Sequence, residues 1–221
     1  MNKASLLKLV DHTLLSATAT QADIRTVCDD GIKYDCATIC IPGTHIKFAS
    51  DYVENRIKIC AVTGFPLGYN VTAVKCFEAE QAIKNGASEV DMVANICQIK
   101  EGQFDEVLKD IQSVKNAIGD HILKVIIETC LLTEQEKIKM CEIVSESGAN
   151  FIKTSTGLST GGATREDIAL FAAHVTNGLK IKAAGGIRTF KDAEDFVNLG
   201  ATRLGTSALV KLMKNEELGS Y

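Results

Sequence analysis

The segment Ser147-Gly-Ala-Asn-Phe-Ile-Lys-Thr-Ser-Thr-Gly157 contains a helix end, a strand and a turn. Its first glycine fits the left-handed residue that closes a helix. The apolar run Phe151–Thr156 has the length of a buried strand, and the second glycine begins a turn. The same helix-to-strand turn recurs at Asn85-Gly86-Ala87 and at Leu199-Gly200-Ala201. The recurrence predicts a chain in which helices and strands alternate.

Eight apolar runs of strand length follow one another along the chain, and each precedes a segment of helical pattern. They are Leu9–Leu14, Cys36–Ile41, Lys58–Gly64, Glu89–Ala94, Leu123–Thr129, Phe151–Thr156, Lys180–Ala184 and Thr202–Gly205. At 221 residues this count favours a closed barrel over an open doubly wound sheet. The sequence therefore predicts α/β architecture, a single (β/α)8 TIM barrel over residues 1–221.

Helix boundaries are marked by two kinds of residue. Capping boxes are predicted at Thr20 with Asp23, at Thr133 with Glu136 and at Thr189 with Asp192. Left-handed glycines are predicted at four helix ends, namely Gly31, Gly86, Gly148 and Gly200.

Composition excludes several classes of partner. The net charge is -4 and no basic run is present, so nucleic acid is not expected as a partner. No stretch reaches the roughly 20 apolar residues of a membrane span, and the first residues lack a signal-peptide core. No G-x-G-x-x-G follows the first strand, which disfavours a dinucleotide cofactor. We expect a cytoplasmic protein without a membrane partner.

Cysteine and histidine show no ligand spacing. The eight cysteines are scattered without a C-x-x-C pair, and most lie in apolar runs where free cysteine packs as a small hydrophobe. The four histidines are equally dispersed. The sequence therefore predicts neither a metal site nor a cofactor.

Two lysines interrupt strand runs that end in glycine. Lys153 precedes Gly157, and Lys182 precedes Gly185 and Gly186. A buried lysine is costly unless it is paired or has chemistry to perform, although a lysine at a strand end can also reach solvent. Adjacent strands lie about 4.8 Å apart, and a second ammonium lowers the pKa of the first. The pair predicts a nucleophilic amine and Schiff-base chemistry.

Acidic residues also interrupt the strand runs. Asp91 lies within Glu89–Ala94, where it either pairs a lysine or transfers protons. Asp11 and Glu128 are further candidates, which we expect to contact the catalytic residues and not the substrate. His12 is interpreted as a hydrogen-bonded structural residue.

Glycines after the last two strands predict an anion site. Gly185 and Gly186 follow strand seven, while Gly205 and Ser207 precede a short helix predicted over Ala208 to Met213. Backbone N–H groups and a helix N-terminus at this place bind phosphate in such barrels. Thr156, at the end of strand six, is a further candidate contact for a phosphorylated substrate.

The motifs resemble those of deoxyribose-phosphate aldolases over nearly the whole chain. The matching phrases are Val10–Leu15, Gly64–Gly68, Glu89–Val93, Phe151–Gly157, Lys182–Arg188 and the terminal Tyr221. The resemblance implies a class I aldolase that acts without metal or cofactor. It would reversibly cleave 2-deoxy-D-ribose 5-phosphate to D-glyceraldehyde 3-phosphate and acetaldehyde.

The resemblance also implies a role for individual residues. Lys153 matches the Schiff-base lysine, Lys182 the neighbour that lowers its pKa, and Asp91 the proton donor and acceptor. Tyr221 matches a terminal tyrosine that helps to move the methyl proton of acetaldehyde, and a flexible tail over about 214–221 is predicted to carry it.

Two departures and three alternatives accompany this interpretation. Leu158 stands where some members have lysine, and Ala208 where some have a second serine, which predicts fewer phosphate contacts. A transaldolase, a phosphate isomerase and a non-catalytic barrel that binds a phosphorylated metabolite are the alternatives. A homodimer is expected, but the sequence identifies no interface.

Overall fold

Eight parallel strands close into a barrel in the computed structural model, which describes residues 1–218. Each strand pairs with its neighbours in chain order, and β8 pairs with β1. The predicted (β/α)8 barrel is confirmed. The strands are β1 Val10–Thr13, β2 Thr38–Cys40, β3 Lys58–Thr63, β4 Glu89–Val93, β5 Ile122–Ile126, β6 Phe151–Lys153, β7 Lys180–Ala184 and β8 Ala201–Thr206.

Helices surround the barrel and connect its strands. A short helix precedes β1, and two helices separate β4 from β5. The helices are α1 Lys3–Leu7, α2 Gln21–Lys33, α3 Ile46–Val53, α4 Thr72–Lys84, α5 Ile96–Lys100, α6 Phe104–Ile118, α7 Glu134–Glu146, α8 Arg165–His174, α9 Phe190–Asn198 and α10 Ala208–Leu218. Single 3-10 turns at Gly43–His45 and Thr129–Leu131 complete the connections.

The capping boxes are present at the three predicted helix starts. Thr20, Thr133 and Thr189 each accept a hydrogen bond from the backbone N–H three residues later, and the acid there accepts one in return. These contacts fix where α2, α7 and α9 begin, because they satisfy N–H groups that the helix leaves free.

Gly31 does not have the predicted capping role. Gly86, Gly148 and Gly200 have positive φ at helix ends, whereas Gly31 lies inside α2 and the chain turns later, at Asp35 with φ 52°. A Cβ on Gly31 would lie 2.7 Å from a methyl carbon of Ile57 and 2.8 Å from one of Ile39. The glycine therefore lets the helix pack closely on the barrel.

The last helix is longer than predicted. Instead of ending at Met213 it continues to Leu218, so residues 214–218 of the predicted tail are helical. Lys214 pairs with Asp30 of α2 at 2.9 Å, and Glu216 pairs with Lys3 of α1 at 2.6 Å. Sequence periodicity does not predict these ion pairs, because their partners lie far apart along the chain. Tyr221 lies outside the described residues.

Apolar side chains fill the layer between the strands and the helices. Ile39, Val90 and Val125 of the strands are buried against Ile24, Val107 and Met140 of the helices. No helix in residues 1–218 is both long enough and apolar enough to span a membrane.

A buried ion pair fixes α4 and α6 to the end of β4. The ammonium of Lys75 donates to Asp110 at 2.6 Å and to the carbonyl of Val93 at 3.0 Å. Lys75 is fully buried, and Thr72 donates a further hydrogen bond to Asp110. A charged pair of this kind holds its elements in one arrangement because neither partner has solvent as an alternative.

We expect Lys75→Met to lower the free energy of unfolding by about 3–5 kcal/mol, because Asp110 would be left buried without its counter-ion. Urea unfolding followed by circular dichroism measures this loss. The double variant Lys75→Met/Asp110→Leu should recover part of the loss. Lys109→Met removes an exposed pair with Glu106 and should change little. A loss no greater than that of Lys109→Met would contradict the assignment.

Candidate active site

Seven charged side chains fill the interior of the barrel and form one connected group. Six of them are buried, and the seventh, Arg203, is 13% exposed. We call this group the charged cluster; its members are Asp11, Glu89, Asp91, Lys124, Lys153, Lys182 and Arg203.

The strand register places the two predicted lysines side by side. Lys153 on β6 is the direct neighbour of Lys182 on β7. Both ammonium groups donate to the same oxygen of Asp91, Lys153 at 2.7 Å and Lys182 at 2.6 Å. The structure therefore brings together Lys153, Lys182 and Asp91.

Lys182 also bonds to Asp11 across the point where the barrel closes. Its side chain runs past Gly205 on β8, where an added Cβ would lie 3.3 Å from its Cε atom. Burial alone would lower the pKa of Lys182, but the carboxylates of Asp11 and Asp91 outweigh it and raise the pKa. Lys182 therefore remains a cation at neutral pH.

A third interior lysine, Lys124 on β5, was not among the residues predicted for the site. It is fully buried, and its ammonium lies 2.8 Å from Asp91 and 2.6 Å from Glu89. Burial would lower its pKa, but Asp91 and the other acidic groups around it raise it well above the usual value. A lysine inside the apolar run Leu123–Thr129 was the available signal.

Asp91 and Asp11 stay ionised because cations surround their carboxylates. Burial alone would raise the pKa of Asp91, but the ammonium groups of Lys124, Lys153 and Lys182 hold it well below its usual range. Asp11, which accepts hydrogen bonds from Thr38 and Arg203, is held low in the same way.

Arg203 and Glu89 lie at the end of the cluster that is nearest the N-terminal ends of the strands. The guanidinium of Arg203 contacts Asp11 at 2.7 Å and Glu89 at 2.8 Å, and it lies over the ring of Phe151 at 5.2 Å from the centroid. These contacts shield the cluster from solvent at the N-terminal ends of the strands.

Two thiols lie beside the acidic centre. Cys40 on β2 is the direct neighbour of Cys60 on β3, and the Cys60 thiol donates to Asp91 at 3.1 Å. Burial raises the pKa of Cys60 well above its usual value, so it is a neutral donor.

A cavity of about 600 Å³ opens at the C-terminal ends of β6, β7 and β8. Lys153 lines it, together with predicted anion contacts Gly185, Gly186, Gly205 and Ser207. Gly185 and Gly186 have φ of 81° and 77°, values that turn the backbone at the cavity wall. Arg188, which sequence reasoning had not assigned, lines the same cavity and adds a cation.

Thr156, in the loop after β6, is hydrogen-bonded to Glu128, which follows β5. Thr156 lines the cavity, but its hydroxyl donates to Glu128 and accepts from the N–H of Leu158. Glu128 also accepts from the backbone N–H of Thr156 at 3.2 Å. The geometry makes Glu128 an anchor of this loop, and the hydroxyl hydrogen of Thr156 is committed to it.

The two departures from the family motif lie on the cavity wall. Leu158 is 61% exposed and lines both this cavity and a neighbouring one of about 740 Å³, while Ala208 begins α10. Neither side chain donates a hydrogen bond, so the recognition of an anion falls to backbone amides, Ser207 and Arg188.

His12 is buried and is not one of the residues that line the cavity. It is 4% exposed, and its Nδ1 atom has no hydrogen-bond partner among residues 1–218. Burial lowers its pKa to about 4 despite Asp30, whose carboxylate lies 3.9 Å from Nε2. His12 is therefore neutral at neutral pH.

Known proteins match the chain over nearly its whole length. The profile of the DeoC/LacD family aldolases covers residues 5–208. The chain belongs to the DeoC/LacD aldolase family. A family relative from Clostridioides difficile, a deoxyribose-phosphate aldolase, is 57% identical over 98% of this chain and 99% of its own. A second, from Streptococcus agalactiae, carries the same name and is 53% identical over the full length of both chains.

A solved structure of the DeoC/LacD type shares the fold. The tetrameric deoxyribose phosphate aldolase of Aeropyrum pernix superposes with a TM-score of 0.87 at 30% identity, covering 98% of this chain and 92% of that one. The family assignment makes the chain an aldolase, and thereby confirms the resemblance drawn from its motifs.

We expect Asp91→Asn to reduce turnover by roughly 10²- to 10⁴-fold, because an amide cannot accept a proton. Asp11→Asn is the matched control, since it also removes a fully buried carboxylate that binds Lys182 but makes no contact to Lys153. Turnover and urea unfolding are measured for both. Both variants should lose stability, and Asp91→Asn should lose more turnover. Equal losses of turnover would make Asp91 a structural partner.

Proposed function

We propose that this protein is a class I deoxyribose-phosphate aldolase, with Lys153 as the Schiff-base nucleophile. The reaction is the reversible cleavage of 2-deoxy-D-ribose 5-phosphate to D-glyceraldehyde 3-phosphate and acetaldehyde. The observation that carries the proposal is a single amine, Lys153, that lines the cavity and shares one carboxylate oxygen with Lys182.

Charge balance within the cluster selects Lys153 as the reactive amine. Four cations face three carboxylates, so the release of one proton makes the cluster neutral. Lys124, Lys182 and Arg203 each contact two or more carboxylates of the cluster, and Lys153 contacts one, Asp91. Lys153 is also the cluster lysine on the cavity wall. Its proton is therefore the one whose loss breaks the fewest ionic contacts in the cluster, and Lys182 is the neighbouring cation on the same carboxylate oxygen.

Imine formation begins with attack by the Lys153 amine on the aldehyde carbon of the sugar. The carbinolamine takes up a proton and loses water, which gives a protonated imine. The nitrogen carries three N–H bonds as an ammonium and one as a protonated imine, so fewer donors compete for the Asp91 oxygen that faces it. Asp91 is then available as a base.

Cleavage breaks the bond between C2 and C3 of the bound sugar. Asp91 accepts the proton of the C3 hydroxyl, the electron pair of the broken bond forms an enamine, and D-glyceraldehyde 3-phosphate leaves. The enamine then takes a proton at C2, and hydrolysis releases acetaldehyde and the amine. Lys182, 2.6 Å from Asp91, keeps the proton on a hydrogen-bonded path within the cluster.

Phosphate recognition falls to other residues that line the same cavity as the Lys153 amine. The amides of Gly185, Gly186 and Gly205, the hydroxyl of Ser207 and the guanidinium of Arg188 supply donors and positive charge for the 5-phosphate. Thr156 supports this wall through its bond to Glu128.

Metal independence is part of the proposal. The protonated imine supplies the electron sink that a metal ion provides in other aldolases, so neither metal nor cofactor is required. A transaldolase would transfer a dihydroxyacetone unit, and an isomerase or a binding protein would release no second product. Detection of free acetaldehyde from 2-deoxy-D-ribose 5-phosphate separates these functions. A homodimer and a cytoplasmic location stay predictions.

We expect Lys153 to be the residue modified when the enzyme is incubated with acetaldehyde and reduced with borohydride. The imine becomes a stable secondary amine, which peptide mass spectrometry locates. Lys153→Met should remove both the adduct and turnover. An adduct on Lys182, or turnover retained in Lys153→Met, would refute the assignment.

Tyr221 is proposed to move the proton at the methyl carbon of bound acetaldehyde. A chain ending at Ser220 should keep its thermal stability and its borohydride trapping, because neither step needs the phenol. Deuterium uptake into acetaldehyde should be slower, since the enamine forms by losing a methyl proton. Uptake equal to that of the full chain would exclude this role.

A further inference from the structure

Two buried thiols and a carboxylate converge beside the charged cluster. The Sγ atoms of Cys40 and Cys60 and a carboxylate oxygen of Asp91 all lie within 4.8 Å of one another. Cys40 and Cys60 are 1% and 0% exposed, and both thiols are free. Twenty residues separate them in the sequence, and the pairing of β2 with β3 brings them together.

We propose that Cys40, Cys60 and Asp91 form an inhibitory site for a thiophilic divalent cation such as Cd²⁺ or Zn²⁺. Two thiolates and one carboxylate make a soft ligand set, which selects these ions over Mg²⁺ or Ca²⁺. Cys60 belongs to a second possible ligand set, with Asp11 and Glu89. That set has only one sulfur, and both of its carboxylates already pair with Arg203.

The distances fit an ion between these side chains. The Cys60 Sγ atom lies 3.1 Å from an Asp91 oxygen and donates its hydrogen to it. Zinc bonds of 2.3 Å to sulfur and about 2.1 Å to oxygen at a tetrahedral angle would separate these atoms by about 3.6 Å. The ion therefore takes the place of the thiol hydrogen after a movement of about half an ångström. It also displaces the Lys124 ammonium from the same two atoms, to which that ammonium donates at 3.2 Å (Cys60 Sγ) and 2.8 Å (Asp91), and Glu89, 2.6 Å from Lys124, remains its partner.

The exchange leaves the buried charge unchanged. The ion forms bonds to two sulfurs and one carboxylate oxygen, both S–H bonds break, and two protons leave to solvent. A dication thus replaces two protons, and the cluster does not have to accept additional charge.

Occupation of the site stops turnover through Asp91. A dication on the oxygen of Asp91 that faces Cys60 withdraws charge from the other oxygen, which faces Lys153 and accepts the substrate proton, and so makes it a weaker base. The entry route is the cavity that ends at Lys153, whose ammonium lies 2.7 Å from the same carboxylate.

The test titrates EDTA-treated full-length enzyme with CdCl₂ and measures acetaldehyde directly, so that no coupling enzyme meets the metal. Turnover should fall as thiolate-to-cadmium absorbance grows and about two protons per ion are released. Mg²⁺ at the same concentrations should leave turnover unchanged. The absorbance and the proton release report binding whether or not the proposed aldol reaction is correct.

Cys40→Ser is the decisive variant, because a hydroxyl keeps the size of the side chain and binds Cd²⁺ poorly. Rates with and without Cd²⁺ are compared within each variant, and the inhibitory concentration should rise at least about tenfold. Cys141→Ser, a buried cysteine of α7, is the control and should respond like the parent. Cys97 and Cys130 are exposed and remain in all these chains.

Cys60→Ala provides a second comparison if Cys40→Ser does not fold, and the same shift is expected. An unchanged inhibitory concentration in the folded variant would place the inhibition outside this site and overturn the proposal. Cadmium absorbance that grows without loss of turnover would overturn it as well.

Discussion

Charge balance in a space closed to water is the constraint on which this barrel depends. Each carboxylate or ammonium carries a large desolvation cost, which is offset only when opposite charges lie within hydrogen-bond distance. Asp91 meets this condition with three lysines, and Lys182 meets it with two acids. Because each contact is shared, no member moves without unpairing another. Lys153, the amine proposed to react, is therefore held by a carboxylate that Lys124 and Lys182 hold in place.

Position within the cluster distinguishes the buried structural groups from Lys153, the group proposed to react. Lys124 and Arg203 lie toward the N-terminal ends of the strands, where Phe151 and Glu89 cover them. Lys153 occupies the margin, with one ionic partner inside and a cavity outside. The apolar layer under the helices keeps the strands in register, and the register puts Lys153 and Lys182 on one carboxylate. Fold stability and the proposed reactivity thus depend on the same pairing.

Local patterns in the sequence predicted the features that depend on local physics. The eight strand runs, the three capping boxes and the interior positions of Lys153 and Lys182 follow from periodicity and from side-chain hydrogen bonds within one turn. Features made by distant segments were not predictable in this way. Gly31 resembles a helix cap, but its role depends on Ile39 and Ile57 of other elements. The meeting of Cys40 and Cys60 depends on strand register, which spacing along the chain does not encode.

The order of charges around the barrel has a consequence for how the chain assembles. All three acids of the cluster lie on β1 and β4, and all four bases lie on β5 to β8. A cut between β4 and β5 would thus divide the protein into two half-barrels whose inner faces carry opposite, uncompensated charge. Neither half could bury that face alone, and each would offer the other its missing counter-ions. The barrel is in this sense a permanent complex of two complementary halves within one chain.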